Sequence, residues 1–171
     1  HQTILIGLFL LPVLGSTQPS NFPRVTDEML QNPDDGDWLM WRRTLDSWGY
    51  SPLDEINREN VEELRMVWTR DLATGTGEIT PLAYNGMLFV PQANDVIEAL
   101  DAKSGDFIWG YSRDIPEDLY EMVGGNARNN RNLSIYEDKI INTSDDNHIF
   151  ALDALTGREV RETEILEYQV N

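Results

Sequence analysis

One stretch of this chain repeats itself without a gap, and that repeat restricts the possible folds more than any other feature. Tyr84-Asn85-Gly86-Met87-Leu88-Phe89-Val90 lies over Tyr136-Glu137-Asp138-Lys139-Ile140-Ile141-Asn142. Ile97-Glu98-Ala99-Leu100-Asp101-Ala102-Lys103-Ser104-Gly105 lies over Ile149-Phe150-Ala151-Leu152-Asp153-Ala154-Leu155-Thr156-Gly157, and the same offset of 52 residues serves both pairs. Each unit holds a hairpin and a third strand, the size of one blade of a β-propeller. Two tandem hairpin units inside a larger sandwich are the alternative arrangement.

From residue 79 onward short β-rich runs alternate with turn residues, the texture of an all-β protein. The expected strands are Leu82–Pro91, Val96–Ala102, Phe107–Tyr111, Leu133–Asn142 and Ile149–Ala154. Asn85-Gly86, Ser104-Gly105 and Thr156-Gly157 supply turns, and Asn-Gly favours a tight hairpin because both positions accept positive φ. Upstream, Asn60 followed three residues later by Glu63 has the spacing of a helix start, where side chains satisfy free backbone N–H groups. It predicts a short helix ending near Met66 to Trp68.

The 171 residues are 40% hydrophobic and 25% charged, enough to bury one ordinary core. A net charge of -17, with only 13 Lys and Arg scattered along the chain, argues against nucleic acid as a partner, because phosphate contacts need clustered cations. An acidic surface serves solubility and also suits a basic protein partner. Without cysteine there is no disulfide, thiolate nucleophile or Cys-based metal site.

Thr3 to Gly15 is an uncharged apolar run followed by Ser16-Thr17-Gln18, the pattern of a signal-peptide core and cleavage zone. It is shorter than the roughly 20 residues that span a bilayer; a core strand or short anchor is the other reading. The first residue is His1 and no basic segment precedes the run, so the sequence is expected to be a piece at both ends. The expected division is 1–17 truncated signal peptide, 18–37 N-terminal linker, and 38–171 incomplete propeller domain, with no membrane span in the mature chain.

The second strand of each unit and its turn read Ala-Leu-Asp-Ala-x-Ser/Thr-Gly, and the first unit continues Asp106-Phe107-Ile108-Trp109. This resembles the tryptophan-docking motif, Ala-x-Asp-x-x-x-Gly-x-x-x-Trp, of dehydrogenases that depend on pyrroloquinoline quinone (PQQ). In that family the motif's Trp packs between neighbouring blades of an eight-bladed propeller, and Trp109 matches it. The second copy departs from the pattern, with Arg161 where Trp is expected. Tyr50-Ser51-Pro52-Leu53-Asp54-Glu55-Ile56-Asn57 and Asn60-Val61-Glu62-Glu63-Leu64, closed by Trp68, are similar to the opening segment of the methanol and ethanol dehydrogenase branch. The resemblance therefore runs over roughly residues 37 to 163 and implies an all-β propeller of which about two blades are present. Asp101 and Asp153 of the repeated motif are given structural roles and no chemistry.

In that branch a Gly-rich turn before the first full blade carries a Glu that hydrogen-bonds the quinone cofactor; here Gly75-Thr76-Gly77-Glu78-Ile79-Thr80-Pro81-Leu82 offers Glu78. One blade later the family has Asn-Arg with the Arg on the cofactor, matched by Asn130-Arg131. The repeat bears on this pair, because Glu78 carried forward by the offset falls beside Arg131, where the innermost strand of each blade begins. An Arg fork suits the carboxylates and carbonyls of such a cofactor. A plain ion pair, or solvated loop charges, is the alternative for both residues. Arg128 is a weaker candidate on the loop from Arg113 to Asn130, where many relatives carry two adjacent cysteines and this chain has Gly125-Asn126.

The remaining titratable groups offer less. His148, at a strand start, reads as a surface residue; Asp34-Asp35-Gly36-Asp37 lacks the Glu of a calcium loop and reads as a solvated turn; Asp145-Asp146-Asn147 reads as a hairpin turn. No catalytic residue or metal ligand is expected in these residues. The resemblance implies a periplasmic enzyme that oxidises an alcohol to an aldehyde with PQQ and Ca²⁺ or another hard cation, whose ligands and base lie beyond Asn171. It also implies a cytochrome c electron acceptor. Two rivals share the fold: a non-enzymatic propeller scaffold of the cell envelope, and a sugar or polyol dehydrogenase. A piece holding two blades is expected to be inactive alone, marginally stable, and prone to associate through an exposed edge strand.

Overall fold

The structure is a computed structural model that describes residues 21–75, 77–116, 118–119, 131 and 133–167. The expected signal peptide at 1–17 lies outside these residues, as do Arg128 and Gly125-Asn126. Two four-stranded antiparallel sheets dominate. The first runs in the order β1 (Leu82–Tyr84), β2 (Met87–Gln92), β3 (Val96–Asp101) and β4 (Phe107–Ser112). The second repeats it with β5 (Ser134–Tyr136), β6 (Lys139–Thr143), β7 (His148–Asp153) and β8 (Glu159–Glu164). Each sheet is a meander of neighbouring strands, the blade of an all-β propeller.

The registers repeat as well. Phe89 faces Ala99 as Ile141 faces Ala151, and both outer pairs shift register at the same point, between Ala99 and Leu100 and between Ala151 and Leu152. The Asn85-Gly86 turn takes the expected form, with φ of 51° and 74°. Leu82–Pro91 is therefore two strands rather than one. The fourth strand of the second sheet had no counterpart among the expected strands. Its sequence, Glu-Val-Arg-Glu-Thr-Glu, shows no apolar alternation, and all six residues are exposed on the edge.

The two sheets stack face to face around one core. Leu82, Met87, Phe89, Ile97 and Trp109 of the first meet Ile135, Ile140, Phe150, Leu152 and Ala154 of the second. At the outer end of this seam the Trp109 ring is 6% exposed and its Nε1–H donates to the Ala154 carbonyl at 3.0 Å. The ring lies against Gly157, where a Cβ would stand 2.5 Å from Trp109 Cε3 and where φ is +70°. Both the shelf and the backbone conformation require glycine. Asp153 shapes the turn, its Oδ1 accepting from Thr156 N at 2.9 Å and Thr156 Oγ1 at 2.7 Å. Asp101 does the same for Ser104 in the first copy.

Trp68 repeats this seat one unit earlier. A Cβ on Gly105, at φ +75°, would stand 2.6 Å from its Cδ2. Two residues on, Arg70 grips Glu98 of β3 in a fork of 2.8 and 2.9 Å. Residues 64–72 thus lie along the outer part of the first sheet, not in a helix. Within the stretch predicted as a helix, Val61–Glu63 forms a single 3-10 turn. The predicted cap fails because the Asn60 side chain is committed elsewhere, donating to Glu55 O and accepting from Asn57 N. Met66 and Val67 are left 81% and 83% exposed beside it.

The stretch expected as a linker, 18–37, is built into the fold from residue 21. Val25 exchanges two backbone hydrogen bonds of 2.9 Å with Glu137 at the β5–β6 turn, and a short helix α1 (Asp27–Gln31) is capped by Thr26. Trp38 pairs with Ala83 of β1. The Asp34–Asp37 segment is a turn, as read, held by Arg43 through the Pro33 and Asp34 carbonyls at 3.2 Å.

Removing the Trp109 ring in the full-length protein should cost about 3–5 kcal/mol, the usual loss for a buried Trp truncated to Ala. Gly157→Ala, which removes the shelf without touching the ring, should cost more than ~1 kcal/mol. Urea unfolding of both variants checks this; an unchanged midpoint for Gly157→Ala would mean that the ring is not seated there.

Candidate functional site

Glu78 and Arg131 stand just ahead of β1 and β5, the innermost strands of the two sheets. The structure brings them together: Arg131 Nη2 lies 3.0 Å from Glu78 Oε2, and Thr80 N–H donates to the Arg131 carbonyl at 3.0 Å. The backbone bond explains the meeting, because it ties the entry of one sheet to the entry of the next. Their side chains are 59% and 61% exposed. An ion pair this open contributes on the order of 0–1 kcal/mol, so folding does not demand it. It leaves a guanidinium fork and a carboxylate facing solvent at the sheets' inner edge.

The loop before Glu78 is packed tightly. A Cβ on Gly75 would stand 2.3 Å from that of Ala93, and Ala73 N–H donates to Gln92 Oε1 at 2.5 Å. Gly77, Ile79 and Gln92 line a recess of about 170 Å³ beside it. The Gly-rich run therefore serves close approach to the β2–β3 turn as well as carrying Glu78.

In a meander, β1 begins at the end where β2 finishes, so the β2–β3 and β6–β7 turns share the Glu78–Arg131 end of the sheets. There the sheets meet through a charged cluster that the sequence did not announce. Arg113, just after β4, holds Asp146 Oδ2 through Nε at 3.1 Å and Nη2 at 2.8 Å, and Glu162 through Nη1 at 2.6 Å. Arg113 and Asp146 are 10% and 5% exposed, and the guanidinium lies over the Phe150 ring. Ser144 Oγ donates to Asp95, which is buried with φ of 53°. His148, expected at the surface, is drawn into this cluster with Nδ1 2.9 Å from the Asp146 carbonyl and a side chain 21% exposed.

The carboxyls here are not equivalent. Burial pushes Asp95 up, only partly offset by its hydrogen bond from Ser144, and the charge of Asp146 adds to the rise. Asp145 is pushed up to about 6 by burial and by the charges on Asp95 and Asp146, while its outer side stays exposed to solvent. For Asp146 burial works upward, but the hydrogen bonds from Arg113 and Ser144 outweigh it and hold the group low. The available signal was an acidic turn at the same point of both units, Asn94-Asp95 and Asp145-Asp146-Asn147. Among the described residues no group of three or more His, Cys, Asp or Glu is placed to hold a metal ion. No described helix is long and apolar enough to cross a membrane.

Two stacked meander blades, joined by a Trp seated on a Gly shelf and opening an Arg–Glu pair at their inner edge, define one section of a propeller. Residues 38–163 match the family described as the glucose/ethanol/alcohol dehydrogenase β-propeller domain that carries the PQQ name, and the chain belongs to that family. It is 35% identical over 138 residues to the dehydrogenase subunit of alcohol dehydrogenase (quinone) from Gluconacetobacter polyoxogenes, which covers 79% of this chain and 19% of that one. To 1-butanol dehydrogenase (cytochrome c) of Thauera butanivorans it is 36% identical over 118 residues, 68% of this chain and 17% of the relative. Among solved structures it is similar to a europium-containing methanol dehydrogenase, with TM-score 0.74 and 28% identity over 83% of this chain and 25% of that one. The chain thus spans about a fifth of the length of such relatives.

A raised carboxyl pKa means that the folded state holds the charged form at a disadvantage above that pKa and is relieved as the pH falls through it toward the unfolded value near 4. Asp95→Asn in the full-length protein should therefore raise the melting temperature more at pH 7 than at about pH 4, the unfolded carboxyl value. Paired thermal melts of wild type and variant at the two pH values measure this; an equal shift at both would remove Asp95 from the titrating set.

Proposed function

We propose that this chain forms the N-terminal part of a periplasmic quinoprotein dehydrogenase that oxidises an alcohol to an aldehyde with PQQ and a divalent or other hard cation. Electrons pass to a cytochrome-type acceptor. The observation that carries the reading is the Glu78–Arg131 pair, brought together across two blades at the inner edge while stabilising the fold very little. The relatives' names support the rest: alcohol dehydrogenases linked to quinone or cytochrome c, and a metal-containing methanol dehydrogenase.

The residues fit the cofactor in kind. PQQ bears carboxylates and carbonyls, and when bound it supplies the two-electron acceptor that alcohol oxidation requires. Arg131 would bind such oxygens through its planar fork. Glu78 would orient that fork and accept a hydrogen bond of its own. Because the pair is open to water, exchanging part of it for a ligand costs little. The cation would be held by residues of the longer protein. The apolar run at 3–15 directs the protein to the periplasm as a cleaved signal.

Arg131→Ala in the full-length protein should weaken PQQ binding about 10- to 100-fold, the loss expected for a charge-assisted hydrogen bond. Its unfolding midpoint should scarcely move, as befits an exposed pair. Equilibrium dialysis with PQQ, read beside dye-linked alcohol oxidation with and without Ca²⁺, tests both halves. Unaltered PQQ affinity would take Arg131 out of the site, and a full-length protein that bound no PQQ at all would favour the scaffold.

A further inference from the structure

The Glu78 side chain is 61% exposed, too open for packing to hold it, so its place is set by the main chain on either side. On the far side Thr80 N–H is tied to the Arg131 carbonyl. On the near side residues 73–75 are clamped to the β2–β3 turn at three successive positions. Ala73 N–H donates to Gln92 Oε1 at 2.5 Å, and Asn94 Nδ2 donates to the Thr74 carbonyl at 3.5 Å, a weaker tie. Gly75 then comes so near the turn that a Cβ on it would stand 2.3 Å from that of Ala93. Glu78 follows three residues later.

The 52-residue repeat carries Gln92 and Asn94 onto Ser144 and Asp146 of the second unit. There the two positions grip side chains of the preceding sheet, Ser144 on Asp95 and Asp146 on Arg113. In the first unit they grip main chain instead. A side-chain grip joins two sheets, whereas a main-chain grip also fixes the course of the segment that follows. Gln92 is 3% exposed and lies beside Leu72, Ile79 and Ala93, surroundings that an apolar side chain would fill without the desolvation a buried amide incurs. Cohesion with the preceding segment is already secured by Trp68 on Gly105 and by the Arg70 fork on Glu98. What the Gln92 amide adds is direction, a single acceptor aimed at a single N–H.

We propose that Gln92 is a positioning residue for cofactor binding that acts through Glu78: by holding Ala73, and with the help of Asn94 on Thr74, it fixes the approach of the chain to Glu78 and keeps that carboxylate against Arg131 before the cofactor arrives. The proposal rests on the reading of Glu78 and Arg131 as PQQ contacts. A loop held in place beforehand raises affinity, because it need not be ordered on binding.

A double-mutant cycle on the full-length protein tests it, read as the PQQ dissociation constant in equilibrium dialysis. Gln92→Met keeps the length of the side chain and removes the acceptor. It should weaken PQQ binding about three- to tenfold on its own and less than about 1.5-fold on top of Glu78→Ala, because the two substitutions disturb one arrangement. An equal loss in both backgrounds would make Gln92 a support of the fold in general. No loss in Gln92→Met, beside a weakened Glu78→Ala, would leave Glu78 a contact that Gln92 does not position; either result overturns the proposal. Unaltered affinity in Glu78→Ala would instead remove Glu78 from the PQQ site, and the proposal with it. In the protein without PQQ, hydrogen exchange at the Ala73 amide should quicken at least about tenfold in Gln92→Met, and an unchanged rate would also sink the idea. Should Gln92→Met fail to fold, Asn94→Gly replaces it in the cycle, since φ at Asn94 is 63° and glycine accepts that conformation without strain. A loss of about two- to threefold that disappears in the Glu78→Ala background is expected there, and additivity overturns the proposal.

Discussion

The contact on which the rest of the structure depends is the Trp109 ring lying flat on Gly157 with its N–H on the Ala154 carbonyl. It fixes the outer end of the seam between the sheets, where strands are long and free to splay, while the small apolar core of Leu82, Phe89, Ile135 and Leu152 fixes the inner end. Once both ends are set, the spacing of the innermost strands follows, and with it the meeting of Glu78 and Arg131. The docking ring is thus remote from the Glu78–Arg131 pair and still determines whether the pair can form. A shift at the shelf would reach the pair through rigid strands rather than through any direct contact.

The repeat made most of this legible. Ala-Leu-Asp-Ala with its following Gly recurs because the Asp side chain builds the turn and the Gly makes room for a ring, two local demands that leave marks in sequence. Glu78 and Arg131 were legible for a related reason: each sits at a set distance before its strand, so the offset that aligns the strands aligns them too. β8 was not, because its six residues face water on an edge and no alternation survives. The cluster of Arg113, Asp146, Glu162 and Asp95 was also hidden. Its bonded pairs, Arg113 with Asp146 and Glu162 and Asp95 with Ser144, lie 33 to 49 residues apart along the chain, and nothing in the neighbourhood of each records the partner across the seam.

The two misread segments share one cause. Asn60 has the spacing of a helix cap, and 18–37 has the composition of a linker, yet both were decided by what lies across from them. The Asn60 amide finds Glu55 and Asn57 before it finds a helix N–H. Residues 64–72 then run extended because Trp68 and Arg70 have fixed seats on Gly105 and Glu98. Local propensity of a few tenths of a kcal/mol per residue is a weak prior against such tertiary anchors. Val25 and Trp38 bridge to Glu137 and Ala83 in the same way.

The seam also divides by chemistry along its length. Its inner end is apolar with an open ion pair at the mouth, its outer end is an aromatic ring on glycine, and the turns between are held by Arg113 among carboxylates. Buried charge contributes less to stability than apolar packing of the same volume, but it admits few alternative arrangements. Placing it at the β2–β3 and β6–β7 turns specifies how far one sheet can rotate over the other at the end where Glu78 and Arg131 meet. The apolar core supplies cohesion that tolerates sliding, and the arginine with its two acids supplies the register that the pair requires.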